Sequence, residues 1–197
     1  MFVPISVKES AMHQRGDPGA TPVTSQPDAD WFRTVLGRHP TGVAVVTGNS
    51  QRHGPAGMVV GSFTSVSLNP PLVGFFPEKS STSWPKIQSA DRFCVNILSS
   101  DQEDVCRRFA TRGIDKFAGQ RYTLSDLGSP VIEDAVAWIE CDLQRIEDAG
   151  DHLLVIGRVL DLKLGTPGLP LLFFMGRYGR FSPLSPTGAD IGGAAQE

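Results

Sequence analysis

Two long strand-like segments, 135–146 and 152–164, stand next to each other in this sequence, separated only by Glu147-Asp148-Ala149-Gly150-Asp151. Two such runs joined by a short Asp/Gly-rich turn predict antiparallel neighbours. The chain supplies more strands: Gly42–Thr47, Ala56–Val60, Phe63–Leu68, Leu72–Phe76 and Arg92–Leu98. In the last of these, Phe93, Val95 and Ile97 alternate with Cys94, Asn96 and Leu98, the period of a pleated strand. Leu171–Met175 and Tyr178–Phe181 close the series. Many strands and few short helices predict a mainly β fold: a closed, Greek-key-like β-barrel with peripheral helices.

Three helices are expected around it. The first starts at Asp28 or Asp30 and carries Trp31, Phe32, Val35 and Leu36 on one face turned toward the protein, until His39-Pro40 ends it. The second starts at Ser83, with Pro85 in its first turn. A capping box, Ser100-Asp101-Gln102-Glu103, opens the third, which runs through Val105 and Phe109 to Gly113. Residues 1–28 are polar and turn-rich and residues 184–197 are rich in Pro, Gly and Ala. Both are expected to be loose tails flanking one domain over 29–183.

The chain's 197 residues, 40% hydrophobic and 20% charged, suit one globular domain. A net charge of −3 argues against a nucleic-acid or polybasic membrane role. No apolar run reaches bilayer length and no signal-like core opens the chain. Cys94, Cys106 and Cys141 are an odd number without C-x-x-C spacing, hence expected as buried thiols in a cytoplasmic protein.

Hydroxyls cluster twice, at Ser62-Phe63-Thr64-Ser65-Val66-Ser67-Leu68-Asn69-Pro70-Pro71 and at Lys79-Ser80-Ser81-Thr82-Ser83-Trp84-Pro85. Two readings stand side by side. A Ser/Thr-rich strand followed by a capped helix accounts for both clusters. The same hydroxyls, a helix start and Lys79 also form a lining for a phosphorylated ligand. No G-x-G-x-x-G, G-x-x-x-x-G-K-[ST], H-E-x-x-H or G-x-S-x-G occurs. The four histidines never pair at ligand spacing, so no metal site is expected. Hydroxyls without a marked nucleophile suggest that a cofactor carries the chemistry.

The order of motifs then resembles one family. Phe32-Arg33, Pro40-Thr41-Gly42-Val43-Ala44-Val45-Val46-Thr47, Gly57-Met58, Ser62-Phe63-Thr64-Ser65-Val66-Ser67-Leu68 and Pro70-Pro71-Leu72-Val73 are similar to the short-chain flavin reductases. So are Phe93–Leu98, Asp115-Lys116-Phe117-Ala118-Gly119, Gly150-Asp151-His152 and Gly176-Arg177-Tyr178. These flavin reductase-like proteins have the FMN-binding split barrel and are the small components of two-component flavin-dependent monooxygenases. The resemblance implies a homodimer that binds FMN or FAD, takes hydride from NADH or NADPH, and supplies reduced flavin to a partner monooxygenase.

Site residues follow from the same resemblance. The strand from Gly57 through Met58, Val59, Val60, Ser62, Phe63 and Thr64 to Ser65 is implied to lie along the isoalloxazine ring. Ser62 with Ser80, Ser81 and Ser83 would hold the phosphate, and Lys116 with Phe117 the phosphate or adenylate end. His152 and Tyr178 would face the nicotinamide, and Thr41 would lie near the ring. His152 beside Asp151 also reads as a locally paired surface residue, and Phe117 as a core ring beside a solvated lysine. Gly61 and Met175 stand where the family often has a polar residue and an arginine. Two other functions remain open: a flavoprotein keeping its flavin as a fixed redox group, and a non-catalytic flavin-binding scaffold.

Overall fold

The Asp28 carboxylate accepts the Trp31 N–H at 3.0 Å and caps α1 (Ala29–Leu36). A computed structural model describes residues 28–184, and the rest of the two expected tails lies outside the described residues. No α1 residue is buried, and Trp31 is 63% exposed. The apolar face expected to turn inward therefore points outward. The helix end is tied down by the Met175 N–H donating to the Gly37 carbonyl.

The chain then runs through β1 (Thr41–Gly42), β2 (Ala44–Ser50), β3 (Gly54–Val60), β4 (Thr64–Leu68) and β5 (Pro71–Phe75). The short α2 (Trp84–Gln88) leads to β6 (Arg92–Ile97), and α3 (Glu103–Ala110) follows. After β7 (Tyr122–Leu124) and β8 (Pro130–Ile132) come the long β9 (Ala137–Ala149) and β10 (His152–Leu164). The hairpin of β11 (Leu171–Phe174) and β12 (Arg177–Arg180) completes the domain. The fold is mainly β with few helices, as expected.

Seven strands form the main sheet in the order β3-β2-β6-β9-β10-β5-β4, with antiparallel pairings throughout. Among the described residues no ladder joins β3 to β4, so the expected closed ring of hydrogen bonds is absent. The link between them, 61–63, is not in a strand; there the Ser62 hydroxyl accepts the Phe76 N–H at 2.9 Å. The β9–β10 turn is tighter than expected. Gly150, at φ 67°, lets His152 pair directly with Ala149.

The strand period sorts side chains into two cores. On β2 and β3, Val46 and Met58 face one cluster with Phe75, Trp84 and Phe93. Val45 and Val59, one residue away, face the other with Phe109 and Phe117. At Gly157 an added Cβ would lie 2.3 Å from the Phe93 ring, so glycine is what admits that ring. The three cysteines are buried and free, as expected. Burial pushes the Cys141 thiol up to about 12.

One hairpin was not expected, and one local expectation fails. The β7–β8 hairpin has no strong sequence pattern and is held by a buried polar group. Asn96 donates to the Val45 carbonyl at 3.1 Å and accepts from the Ile132 N–H at 2.8 Å. The capping box does not form. Gln102 is the N-cap, and its side chain instead accepts from the Ser99 N–H and donates to the Glu133 carbonyl. No helix among the described residues is long and apolar enough to cross a membrane.

Candidate functional site

A cleft opens beside the β3 edge of the main sheet. Met58 and Val59 form its floor, Ser81, Thr82 and Ser83 one wall, and Phe109 with Ala110 at the end of α3 another. Glu78, Arg112 and Lys116 supply its charges. Gly57 lets α3 approach: a Cβ there would sit 2.5 Å from the Phe109 ring.

Lys116 reaches into this cleft from the loop after α3. Its ammonium donates to the Gly57 carbonyl at 3.1 Å and to the Ser83 hydroxyl at 3.0 Å. Among the described residues no carboxylate lies within ion-pair distance of it. Burial, reinforced by the positive charges of Lys86 and Arg112, lowers its pKa to about 8. Around it, Ser80 donates to Glu78 at 2.8 Å, while Arg112 approaches Ser80 at 3.4 Å and Glu78 at 3.5 Å. Lys116 and the Ser83 hydroxyl thus stand together on one side of the cleft, with the Glu78–Arg112 pair on the other.

The serines divide their work. Ser83 was expected to cap α2, but its hydroxyl makes no cap bond and meets Lys116 instead. Ser81 does the capping, accepting the Trp84 N–H at 3.1 Å. In the other cluster, Ser62 braces the β4–β5 region, and Thr64 donates to the Ser65 carbonyl at 3.3 Å. Thr64 and Ser65 are exposed on β4 and, like Ser62, do not line the cleft. Val60 and Phe63 belong to the first core. Lys79, an expected helper, pairs instead with Asp148 on the surface at 2.9 Å.

Phe117 turns away from the cleft. Its ring meets Phe109 and Tyr122 edge-on at 5.2 and 4.9 Å within the second core. That anchorage sets where its neighbour Lys116 can reach. Glu78 and Arg112 escaped the sequence reading. The visible signal for Arg112 was a cation four residues before Lys116, at the end of the expected third helix.

His152 lies at the Glu78 rim, since Glu78 and His152 form an isolated β-bridge. Its Nδ1 is 2.6 Å from an Asp151 carboxylate oxygen, and this contact holds the Asp151 carboxyl below the usual range. Tyr178 lines a second, mainly apolar cleft with Pro40, Phe174, Met175, Arg177 and Arg180. Thr41 lies on that side too, paired with Phe173, which is paired with Tyr178. The structure thus brings Ser80, Ser81, Ser83, Lys116, Met58 and Val59 together, with His152 at the rim, and sets Tyr178 and Thr41 apart from them.

A flavin reductase like domain matches residues 36–182. The chain is 56% identical over 162 residues to a flavin reductase of Pseudomonas putida, covering 82% of this chain and 95% of that protein. It is 44% identical over 152 residues to the flavin-dependent monooxygenase reductase subunit HsaB of Rhodococcus jostii, with 77% of each covered. Among solved structures, nitrilotriacetate monooxygenase component B from Mycobacterium thermoresistibile superposes with a TM-score of 0.76 at 43% identity. That match covers 81% of this chain and 89% of the other. The NADH:FAD oxidoreductase SgcE6 of Streptomyces globisporus, solved with NAD and FAD fragments, gives a TM-score of 0.73 at 37% identity. It covers 78% of this chain and 93% of that one.

Proposed function

The chain belongs to the flavin reductase like domain family, and on that premise we propose that it reduces FMN or FAD with NADH or NADPH and supplies the reduced flavin to a partner monooxygenase. The reaction is NAD(P)H + flavin + H⁺ → NAD(P)⁺ + reduced flavin. Bound flavin and nicotinamide would supply the hydride acceptor and donor themselves, so the chemistry needs no protein nucleophile. The chain's task is to bind, orient and exclude water.

The observation that carries this reading is the half-buried Lys116 ammonium, held by Gly57 and Ser83 without a carboxylate beside it among the described residues. A phosphate fits that donor set. In this assignment Lys116, Ser83, Ser81, Ser80 and Arg112 hold the flavin phosphate, and β3 from Gly57 to Val60 lines the ring. Ser62, Phe63, Thr64 and Ser65 continue that wall, and Phe117 acts by seating Lys116. His152 and Tyr178 orient the dinucleotide, and Thr41 supports the Tyr178 side.

The domain is assigned to residues 29–183, as a split barrel. The outward apolar face of α1 supports a homodimer. Three buried free thiols support a reducing, cytoplasmic setting.

The decisive measurement is NADH and NADPH absorbance loss by the purified protein with and without added FMN or FAD. Flavin-dependent oxidation with at least one nucleotide is expected. Its absence with every combination would overturn the reductase reading in favour of a binding scaffold.

A further inference from the structure

Tyr178 is held on three sides. The Phe173 ring meets it edge-on at 5.2 Å, the Arg107 guanidinium lies 5.1 Å from its centroid, and the Cys106 sulfur is 3.3 Å from its hydroxyl. Cys106 is fully buried in α3, so water does not compete for its thiol. We propose that Cys106 is a positioning residue: its S–H donates to the Tyr178 oxygen and thereby leaves the phenolic hydrogen as the donor that meets NAD(P)H in the second cleft. This rests on the assignment of Tyr178 to the dinucleotide.

The direction of the bond follows from where each hydrogen can go. A phenol carries one hydrogen and accepts at its oxygen, whereas a thiol carries one weak donor. Burial foremost raises the Cys106 thiol above its ordinary range, and burial foremost also raises the Tyr178 hydroxyl. Both groups therefore keep their protons at neutral pH. Were Tyr178 to donate to sulfur, the buried S–H would have no acceptor among the described residues. With the thiol donating, no buried donor is left over, and Tyr178, a lining residue of the second cleft, keeps its phenolic hydrogen to give there.

That cleft suits the proposed ligand. Phe174, Met175 and Pro40 give it apolar walls for a flat ring, and Arg177 and Arg180 place positive charge beside it for a diphosphate. The phenol then reads a carbonyl or hydroxyl acceptor on the dinucleotide. The same helix that carries Cys106 and Arg107 ends at Phe109 and Ala110, which line the first cleft. One rigid element thus sets both sites.

The test is equilibrium binding of NADH without flavin, read by nicotinamide fluorescence, alongside KM and kcat for the nucleotide. Tyr178→Phe is expected to weaken NADH about two- to tenfold, the worth of one neutral hydrogen bond. Cys106→Ala should weaken it in the same direction, Cys106→Ser should restore most of the loss, and FMN affinity should stay unchanged. In the Tyr178→Phe background, Cys106→Ala should add nothing further. Should Cys106→Ala fail to fold, Cys106→Val carries the same comparison. Losses that multiply, a Cys106→Ala protein that binds NADH like the wild type, or a serine variant as weak as alanine would each overturn the positioning role. If Tyr178→Phe itself binds NADH normally while flavin turnover persists, the Tyr178 assignment falls with it and the reductase reading stands.

Discussion

The Lys116 ammonium donates to the Gly57 carbonyl at 3.1 Å, across 59 positions of sequence. That bond fastens the loop after α3 to the edge strand β3, and it places a positive charge beside the strand proposed to line the flavin. Because burial lowers the lysine's pKa to about 8, the charge is costly to keep and is available to an incoming anion.

The first prediction concerns pH. Free Lys116 loses its proton as pH rises through about 8, whereas a bound phosphate favours the charged form. FMN affinity should therefore fall above pH 8, by up to about tenfold per pH unit, with proton uptake on binding. Riboflavin, which has no phosphate, should show no such slope. The sign for stability is opposite: the unfolded chain binds the extra proton between about 8 and the ordinary lysine value, so this group makes folding more favourable as pH rises through that window. Calorimetric titration in two buffers of different ionisation enthalpy measures the proton uptake. A flat FMN profile would remove Lys116 from the phosphate site.

Ser80→Ala combined with Ser83→Ala should weaken FMN by a few kcal/mol at most, about 1.5–3 for each charged hydrogen bond lost. Riboflavin binding should hardly change. Ser81→Ala should weaken FMN and also cost stability, because its hydroxyl caps α2 at the Trp84 N–H. There the expected loss is about 1 kcal/mol of stability, read as a lower thermal midpoint. Equal losses for FMN and riboflavin in the double variant would assign those serines to the fold.

His152 is expected to orient the dinucleotide, since hydride transfer requires no acid. His152→Ala should raise the KM for the nucleotide about two- to tenfold, and leave FMN affinity nearly unchanged. His152→Asn, which keeps a donor toward Asp151, should recover part of the loss. If asparagine is as poor as alanine and the wild-type rate follows a single ionisation near neutral pH, the histidine works through its charge.

Trp31 and Phe32 stand 63% and 54% exposed on a helix with no buried residue. An apolar face of that kind marks an interaction surface. Light scattering after size exclusion should give twice the chain mass for the wild type. Trp31→Ser with Phe32→Ser should shift the protein toward the monomer with its melting cooperativity retained. A wild-type protein that is monomeric at micromolar concentration would contradict the dimer.

Local physics made much of this protein legible in one dimension. Alternation marks β6 because successive side chains point to opposite faces of the sheet, here both buried, and Gly150 with its acidic neighbours marks the β9–β10 turn because glycine reaches positive φ at little cost. The Asp28 cap and the loop around Lys116 were likewise visible as residue types in a pattern. What the tertiary structure alone decided are the partners. Ser81 and Ser83 look alike in sequence, yet one caps a helix and the other meets a lysine 33 positions away. Asn96 reads in sequence only as one residue of an alternating strand, yet it holds a hairpin that has little strand signal of its own. The α1 face and the gap between β3 and β4 belong with these, because whether an apolar side chain is covered, or a strand edge paired, depends on long-range packing. Propensity and periodicity act over a few residues, whereas a hydrogen bond or a ring contact is settled by the one arrangement that satisfies all buried groups together.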